Sequence, residues 1–579
     1  MKEANEILHI LVKETDKDRI NLKNTSHYSI TPLISTEWLF QSQVNSHPNP
    51  NKTASLSANL LERVEAATTL INNLIENCTT LDCINSIEEL MAPYLHVRLS
   101  SFYYLESIIP NSKRYSLFNK GKWIVLTNKT DLIIGIENIL IQDKGSSLVS
   151  TYRYSRLSSN LLSSCLIRLQ RYLIGFRLNS KQKHYFLSDR SSYYFPKIKD
   201  KLKKENKRLI TFQCTKDLRK IFILMLINIV NLIFKRSRAP IRMILHPYEE
   251  KTKLSSKVIL RLIKKVPLEL IPEKYKGILA LDISNYLNLT ISYIDYLSTI
   301  FKGRNITSIF HSTRYPDLYA LASTLEKAKG KMYLISHGTH TLQMKGSPSF
   351  IASRQLALGV LYSNLKSIIH CSQSIFTDNY FDSIGYKYLN ILPLGQVTIN
   401  NKIPCEGTIK NSKLTILHAS TFKPEGVRRY YFESSYEYLS GLVNICEKLA
   451  PIKDDIEFIV RVRFHENEVN KIYLENILRR FSQFTRLSSN STLKEDLYKS
   501  DCLIAHSSTT LEEGFNSSIP VMSIGKTSYD HLSYYKQLKL PNNHPKYLQL
   551  QRIEKLLMRT FIYSTNPLEG RKNNFLDVI

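Results

Sequence analysis

Residues 501–525 carry the sequence Asp-Cys-Leu-Ile-Ala-His-Ser-Ser-Thr-Thr-Leu-Glu-Glu-Gly-Phe-Asn-Ser-Ser-Ile-Pro-Val-Met-Ser-Ile-Gly. Two apolar runs of strand length, 501–505 and 519–524, enclose a cluster of serines and threonines and a pair of glutamates. Each of the two adjacent threonines stands three residues before a glutamate, which is the spacing of a helix capping box. The pattern therefore predicts a strand, a hydroxyl-rich turn, a helix and a second strand.

The start of such a helix is suited to bind an anion. Its first N–H groups lack partners within the helix and its dipole places partial positive charge there, so a phosphate is favoured. A carboxylate one turn further on can accept two hydrogen bonds from a ribose diol. The hydroxyls and carboxylates concerned are Ser507, Ser508, Thr509, Thr510, Glu512 and Glu513. An ordinary capped helix between two buried strands has the same spacing, so both interpretations stay open.

The segment Ser-Ser-Thr-Thr-Leu-Glu-Glu-Gly, followed by Ile-Pro-Val, resembles the donor-binding segment of GT-B glycosyltransferases. More narrowly, it is similar to bacterial surface-polysaccharide enzymes such as the Kdo, sialyl and polysialyl transferases. The resemblance implies that the serines and threonines hold the donor phosphate. It also implies that Glu513, seven residues before Pro520, holds the ribose, with Glu512 as the neighbouring candidate. Nucleotide-sugar epimerases of the same fold have a similar segment.

The whole chain has 579 residues, which indicates two or more domains, and its 43% hydrophobic content is typical of a globular rather than a disordered protein. Its formal net charge of +29 indicates an anionic partner. Nucleic acid, a phosphate-bearing substrate and the anionic face of the cytoplasmic membrane all satisfy that requirement. The charge alone does not choose among them.

The eight cysteines show no Cys-x-x-Cys spacing. Cys78 and Cys83 are the nearest pair, and no histidine or further cysteine stands close enough in sequence to complete a zinc site. Reduced thiols in a cytoplasmic protein are the simplest interpretation, and the first residues lack the architecture of a signal peptide. No cofactor is expected. No metal is expected either, because no Asp-x-Asp motif stands in a loop where a divalent ion would bridge a diphosphate.

The longest apolar run, residues 221–234, is too short to span a bilayer and is interrupted by Asn228 and Asn231. Basic residues flank it on both sides: Lys216, Arg219, Lys220, Lys235, Arg236 and Arg238. The pattern fits an interfacial anchor on the inner face of the cytoplasmic membrane, and equally a buried helix with solvated ends.

Residues 1–200 are predicted to form a helical and basic N-terminal extension. Helices are predicted at 60–76 and 84–94, and a short strand at 132–134. Residues 144–187 contain no acidic residue, and arginines alternate with aromatic residues there. Such mixing can bind RNA or a lipid surface, and a solvated basic helix has the same composition; the expected partner is an anionic membrane surface, and no nucleic acid is expected.

Residues 201–345 are predicted to form a Rossmann-like domain on the acceptor side. Helical segments such as 316–329 alternate with short apolar runs. The predicted strands are 208–212, 241–245, 278–281, 306–311 and 331–336. Strands that alternate with helices argue for a parallel sheet covered on both faces.

The turn Ser336-His-Gly-Thr-His-Thr341 follows the last of these strands. Ligands of a doubly wound sheet bind beyond the carboxyl ends of its strands, so this turn is expected at a cleft. Histidine titrates near neutrality, and His337 could take a proton from an acceptor hydroxyl. The turn resembles the His-Gly-Thr turn of polysaccharide transferases and of CDP-glycerol glycerophosphotransferases. His311 and Asp317 are alternative bases, although a structural role fits both.

Residues 366–535 are predicted to form the donor-binding Rossmann-like domain, whose sheet is expected to begin near 367–371. In GT-B enzymes the first loop of this domain approaches the diphosphate, and Lys423 is the corresponding charge-neutralising candidate. Residues 536–579 are predicted to form a helical tail with a helix at 548–560. The resemblance implies that this tail packs back across the domains.

The strand predicted at 456–465 ends in Arg463, a planar fork for phosphate, and His465. Both are candidate donor-binding residues. The arrangement resembles the His-Pro motif of bacterial sialyltransferases, although Glu466 stands where that family has proline. The departure weakens the inference of a CMP-linked donor.

These observations predict an α/β protein of two Rossmann-like doubly wound domains, the GT-B fold, with a mostly helical N-terminal extension. The resemblance, which covers roughly residues 300–525, implies an inverting, metal-independent glycosyltransferase of capsule or other surface-polysaccharide biosynthesis. It would move a sugar from a nucleotide-sugar donor to a glycan or lipid-linked acceptor. A CDP-glycerol or CDP-ribitol type phosphotransferase and a nucleotide-sugar 2-epimerase are alternatives on the same fold. A basic nucleic-acid-binding protein is the alternative of another class.

Overall fold

The computed structural model describes most of the chain. The described residues are 7–11, 27–29, 58–77, 84–109, 111–142, 168–170, 172–174, 178, 183–188, 191, 195–214, 222–223, 226–227, 229–230, 241–245, 254–335, 354–355, 357–383, 390–394, 413–420, 435–462, 468–488, 491–505, 510–524, 538–567, 569, 571 and 575.

Helices and a small sheet make up the N-terminal part of the chain. Its elements are β1 (Ile7–Leu11), β2 (His27–Ser29), α1 (Ala58–Glu76), α2 (Ile87–Ile108), β3 (Arg114–Asn119), β4 (Lys122–Leu126) and α3 (Lys129–Gln142). The strand order is β2-β1-β3-β4, with β1 parallel to both neighbours and β3 antiparallel to β4. Lys120 and Gly121 join β3 to β4 with positive φ angles of 51° and 82°, which suit a two-residue hairpin turn. The strand predicted at 132–134 is wrong, because these residues lie in α3.

A seven-stranded parallel sheet, called the first sheet here, follows. Its strands and helices are β5 (His184–Ser188), α4 (Pro196–Lys204), β6 (Arg208–Cys214), β7 (Ile241–Leu245), α5 (Ser256–Ile263), α6 (Glu273–Phe301), β8 (Ile306–Phe310), α7 (Pro316–Lys327), β9 (Lys331–Ile335), β10 (Ile368–Ser372), α8 (Ile375–Ser383) and β11 (Asn390–Pro393). The strand order is β11-β10-β9-β8-β5-β6-β7. Every neighbouring pair is parallel.

Four of the five strands predicted between 201 and 345 are confirmed as β6, β7, β8 and β9, and the helix predicted at 316–329 is α7. The strand predicted at 278–281 is wrong, because these residues lie inside the 29-residue helix α6. The expectation that a second sheet begins near 367–371 is also wrong: β10 pairs with β9, with Ile368 opposite Met332.

A five-stranded parallel sheet, the second sheet, contains the later part of the chain. Its elements are β12 (Leu414–Ser420), α9 (Ser435–Leu449), β13 (Ile456–Val462), α10 (Glu468–Arg479), β14 (Thr485–Ser488), α11 (Leu493–Tyr498), β15 (Cys502–Ala505), α12 (Thr510–Asn516) and β16 (Val521–Ser523), followed by the tail helix α13 (Tyr547–Leu557). The strand order is β14-β13-β12-β15-β16. All pairs are parallel.

Apolar side chains cover both faces of both sheets. One core packs α1, α2 and α3 together with α5, α6 and α7 against one face of the first sheet, so the N-terminal helices share the core of that sheet. A second cluster covers its other face. Two further clusters cover the two faces of the second sheet. Parallel sheets buried on both faces are doubly wound, and the predicted pair of Rossmann-like domains is confirmed.

The C-terminal tail crosses from the second sheet to the first. Helix α13 packs on the core of the second sheet, and Ile562 exchanges backbone hydrogen bonds with Val521 at the edge strand β16. Further along, Phe575 is buried against Tyr333 of β9, with ring centroids 5.4 Å apart. The predicted return of the tail is therefore present in the described residues.

Among the helices that the structure describes, none combines the length and the apolar character needed to cross a membrane.

Candidate functional site

The segment predicted as strand, turn, helix and strand forms these elements in that order. Strand β15 precedes α12, and α12 precedes β16. The turn between β15 and α12, residues 506–509, lies outside the described residues, and with it the candidates Ser507, Ser508 and Thr509. The succession of elements is confirmed, and the role of the turn stays a prediction.

Gly514 lets α12 approach the sheet closely. A Cβ atom at this position would lie 2.6 Å from Leu503 Cδ2 and 3.0 Å from Val521 Cγ1, the side chains of the two strands beneath the helix. Both side chains are fully buried in the core of the second sheet. The glycine that follows the two glutamates therefore fixes how near the helix lies to β15 and β16.

The first residue of α12 lies where the topology of the second sheet places a crevice. From β12 the chain proceeds to β13 and β14 on one side and then crosses to β15 and β16 on the other. The strands that follow β12 and β15 in the chain lie on opposite sides of this pair, and ligands of doubly wound sheets bind between such strands at their carboxyl ends. Thr510 Oγ1 donates a 3.0 Å hydrogen bond to the Ala419 carbonyl, which lies near the carboxyl end of β12. The start of α12 is therefore joined to the edge of this crevice.

Glu512 connects the two sheets. Its carboxylate accepts a 2.6 Å hydrogen bond from the hydroxyl of Ser374, a buried residue that follows β10 of the first sheet. One turn later, Asn516 Nδ2 donates to the Gln373 carbonyl at 3.5 Å. Helix α12 is thus docked by its glutamate and its asparagine onto the loop after β10.

Helix α12 also forms an aromatic contact with the loop after β10, and its second glutamate has different surroundings from the first. Phe515 and Phe376 meet edge to face with ring centroids 5.0 Å apart, so the docking of α12 is apolar as well as polar. Glu513 is half-buried, and its backbone carbonyl accepts a 2.7 Å hydrogen bond from Ser517 Oγ. Of the two glutamates, Glu512 is the one held at the junction of the sheets.

The C-terminal tail holds the same loop from another direction. The guanidinium of Arg571 is 6% exposed, donates to the Ser372 carbonyl at 3.0 Å and to the Leu394 carbonyl at 3.3 Å, and forms an ion pair with Asp378. Residues 372–378, called the junction loop here, therefore form contacts with both α12 and the C-terminal tail. Nothing in the local sequence around Arg571 indicates this contact, because its partners are nearly 200 positions away.

The remaining donor-binding candidates, Lys423, Arg463 and His465, lie outside the described residues. They follow β12 and β13, whose carboxyl ends share an edge with that of β15 because all three strands are parallel. Their common edge agrees with a shared site, and their roles stay predictions.

Arg461, two residues before Arg463, has a structural role. Its Nη1 donates to the Ser491 carbonyl at 2.6 Å and to the Asp496 carboxylate at 2.8 Å. Burial alone would raise the pKa of Asp496, but hydrogen bonds from Ser488, Ser491 and Arg461 outweigh burial and hold that pKa below its ordinary value. This ionised, fully bonded cluster secures the loop between β14 and α11.

The carboxyl edge of the first sheet holds the predicted bases. His337 follows β9 and lies outside the described residues. His311 follows the neighbouring β8, is buried, and its Nδ1 lies 2.9 Å from Ser191 Oγ, which accepts a hydrogen bond from Ser188 Oγ at 2.8 Å. From β5 the successive strands β6 and β7 are added on one side, and from β8 onward they are added on the other side. The buried hydrogen-bonded chain Ser188-Ser191-His311 therefore lies at the switch point of the first sheet, between β5 and β8.

Asp317, the other alternative base, lies in the first turn of α7 and is 7% exposed. The positive end of the helix dipole favours a carboxylate there, and this is a structural reason for the residue. A catalytic role for Asp317 stays a prediction.

Glu89 of α2 is a buried acid that sequence analysis missed. Its carboxylate accepts hydrogen bonds from the Thr313 hydroxyl, from Ser363 Oγ at 2.7 and 2.8 Å, and from the Asn364 backbone N–H at 2.8 Å. Burial raises its pKa to about 7, although these hydrogen bonds act in the opposite direction. Ser86 and Glu89 have capping-box spacing, a local signal that does not reveal the partners beyond the helix.

No group of three or more His, Cys, Asp or Glu side chains within the described residues could hold a metal ion.

A scan against models of protein families and a search of curated proteins both find no match. A search of solved structures finds, among others, a glycosyltransferase from Rickettsia africae (11% sequence identity, 66% of this chain and 89% of that chain covered, TM-score 0.33). The search also finds MurG from Acinetobacter baumannii (10% sequence identity, 69% of this chain and 97% of that chain covered, TM-score 0.33). A third match is UDP-GlcNAc 2-epimerase from Neisseria meningitidis bound to UDP-GlcNAc (12% sequence identity, 65% of this chain and 89% of that chain covered, TM-score 0.31). Similarities of this size do not assign a function.

Proposed function

We propose that this protein is a GT-B glycosyltransferase that moves a sugar from a nucleotide-sugar donor to a glycan or lipid-linked acceptor in surface-polysaccharide biosynthesis. One observation carries the proposal: the helix that follows the Ser/Thr-rich turn begins at the switch point of the second sheet, where Thr510 is bonded to the end of β12. A helix N-terminus at such a crevice suits a nucleotide phosphate.

Donor binding would use the carboxyl edge of the second sheet. The hydroxyls and basic groups that would hold the phosphates are Ser507, Ser508, Thr509, Lys423, Arg463 and His465. Glu513 would accept the ribose hydroxyls, as the resemblance implies, and Glu512 accepts a hydrogen bond from Ser374 of the junction loop. CMP-linked sugars are among the candidate donors.

Transfer would occur between the two sheets. His337, which follows β9 of the first sheet, would take the proton of the acceptor hydroxyl as its oxygen bonds to the anomeric carbon and the bond to the donor phosphate breaks. The leaving nucleotide phosphate would be stabilised by the helix dipole and by the basic side chains. A single displacement of this kind inverts the anomeric configuration. No metal is assigned a role, and the enzyme would act in the cytoplasm, peripherally on the inner face of the membrane.

Donor screening with the purified full chain tests the proposal. UDP-, GDP-, CMP- and CDP-linked donors would be incubated with a surface-glycan acceptor fraction, and nucleotide release would be measured. A hydrogen bond to a charged group contributes about 1.5–3 kcal/mol, so Glu513→Ala should raise the KM for the donor roughly ten- to a hundredfold. Glu447→Ala, which changes an exposed glutamate of α9, is the matched control and should change nothing.

The outcomes separate the alternatives. Acceptor-dependent release that Glu513→Ala weakens supports the proposal. Conversion of a UDP-sugar without an acceptor would indicate a 2-epimerase, and transfer of glycerol or ribitol phosphate from a CDP donor would indicate the phosphotransferase. Tight, salt-sensitive RNA binding that survives Glu513→Ala, with no turnover of any donor, would indicate a nucleic-acid-binding protein.

A further inference from the structure

We propose that the protein docks on an anionic phospholipid bilayer through two exposed helical segments: the first docking segment, described at residues 168–170 and 172–174, and the second docking segment, described at residues 222–223, 226–227 and 229–230. Six of the fifteen large apolar side chains that are exposed among the described residues lie in these two short segments. This concentration exceeds what scattered surface residues would give. This inference rests on the proposed function, which places the enzyme at the membrane. Lipid binding is measured without any substrate, so the docking proposal and the proposed enzymatic activity can each fail independently of the other.

The first docking segment is anchored to the body of the protein. Gln170 and Ile174, one helical turn apart, are buried, and Gln170 Nε2 donates a 2.8 Å hydrogen bond to the Tyr296 hydroxyl of α6. Leu169 and Tyr172, three residues apart on the other side of the helix, are 43% and 72% exposed. The segment therefore keeps an apolar face in water although its opposite face is fixed.

The second docking segment presents a wider apolar face. Phe222, Ile223, Leu226 and Val230 are between 44% and 54% exposed, and their spacing places them on one side of a helix. The alternative interpretation of this apolar run as a buried helix does not fit these residues. Exposed aliphatic side chains at helical spacing are the signature of a helix that lies in the plane of a membrane interface.

The part of the sequence that contains both segments is strongly basic, which complements an anionic surface. Residues 144–242, which contain them, hold 23 Lys and Arg residues against four acidic residues, Asp189, Asp200, Glu205 and Asp217. This part of the sequence thus supplies most of the net charge of +29. Basic residues next to an anionic leaflet each contribute about 1 kcal/mol of attraction.

Lipid is favoured over the other occupants that such a face could have. Aliphatic groups gain free energy in hydrocarbon, whereas single-stranded RNA is bound by aromatic stacking and polar contacts, and the second docking segment exposes one aromatic ring among four apolar side chains. A second copy of the chain would bring an equally basic surface to the same place. The combination of aliphatic face and positive charge points to the headgroup and acyl boundary of an anionic bilayer.

Vesicle flotation of the full chain tests the proposal. Wild-type protein should float with vesicles of phosphatidylglycerol and phosphatidylcholine and bind pure phosphatidylcholine much more weakly. The double variant Phe222→Asp/Leu226→Asp should reduce the partition coefficient on anionic vesicles roughly tenfold or more, because it removes apolar contact and adds repulsion. Tyr172→Asp should produce a smaller loss. The control Leu548→Asp, at a 79% exposed position of α13, should bind like the wild type.

Equal flotation of wild type and double variant would overturn the proposal, as would no flotation of the wild type on anionic vesicles. Sedimentation velocity that shows a wild-type dimer, and a monomer for the double variant, would assign the face to a second copy instead. RNA binding lost in the double variant, without vesicle binding, would assign it to RNA. Because the substituted side chains are already exposed, the thermal unfolding temperature should not change. If it does, Phe222→Ser/Leu226→Ser replaces the double variant and should give the same loss.

Discussion

Substitution of Glu89 by glutamine should remove a pH dependence that is built into the N-terminal helices. In the folded chain, burial raises the pKa of this carboxyl to about 7 from an ordinary value of 4.5. The folded state therefore binds the proton more tightly than the unfolded state does. The resulting stability is fully present below about pH 4.5 and is lost as the pH rises through 7. At 1.36 kcal/mol for each pH unit, the loss is about 3 kcal/mol, of which about 2.5 kcal/mol falls between pH 5 and 8.

The difference between wild type and Glu89→Gln isolates this effect. Two buried histidines also make stability depend on pH: burial lowers the pKa of His370 to about 4 and that of His96 to about 3, so both withdraw stability as the pH falls below the ordinary value of 6.5. Their contributions cancel in the difference. Glutamine cannot accept the third hydrogen bond, from Asn364, and this costs about 1–3 kcal/mol at every pH.

Urea titrations at pH 5, 6, 7 and 8 would measure the apparent free energy of unfolding. Tryptophan fluorescence is a suitable signal because the two tryptophans of the chain, Trp38 and Trp123, both stand in the N-terminal 200 residues. The stability advantage of the wild type over Glu89→Gln should shrink by about 2–3 kcal/mol between pH 5 and 8. An advantage that stays constant within about 0.5 kcal/mol would refute the raised pKa of this carboxyl.

Two further substitutions test how the second sheet is held. Gly514→Ala places a Cβ atom 2.6 Å from a leucine methyl of β15, so overpacking should cost about 1–3 kcal/mol; a thermal unfolding temperature equal to that of the wild type would contradict the close packing of α12. Arg571→Met removes a buried guanidinium from the half-exposed Asp378 and from two carbonyls, and should cost about 1–3 kcal/mol and speed proteolysis of the tail. In Lys555→Met, which changes a residue in the last turn of α13, the tail should be cleaved at the wild-type rate.

Local patterns were sufficient to predict the elements around the candidate site. The apolar runs at 501–505 and 519–524 and the intervening capping spacing appear in the structure as β15, α12 and β16. The same reasoning gave wrong strands at 132–134 and 278–281, which lie inside helices α3 and α6. A run of three or four apolar residues fits a strand and a buried helix equally well, because the surroundings decide between the two.

Contacts between distant residues could not be predicted from one sequence. The sequence predicts that the second sheet begins with β10, yet the register of β10 with β9 makes it part of the first sheet. Glu89 and Thr313 are separated by 224 positions, and Arg571 and Ser372 by 199. Capping and periodicity describe neighbours along a helix or strand, and neither constrains which loop a side chain meets after folding.

The contacts between α12 and the junction loop, residues 372–378, restrict the motion of the second sheet relative to the first. A motion that separated α12 from this loop would expose Phe376 and Phe515, both buried, and would leave the Glu512 carboxylate without the Ser374 hydroxyl. Exposing one such aromatic side chain costs about 1.5–3 kcal/mol, and losing the charged hydrogen bond costs a similar amount. A rotation that keeps these contacts and changes the distance between the sheets elsewhere avoids that cost. Opening and closing between the carboxyl edges should therefore pivot at the junction loop rather than break it, and the start of α12 should keep its position relative to β10 throughout.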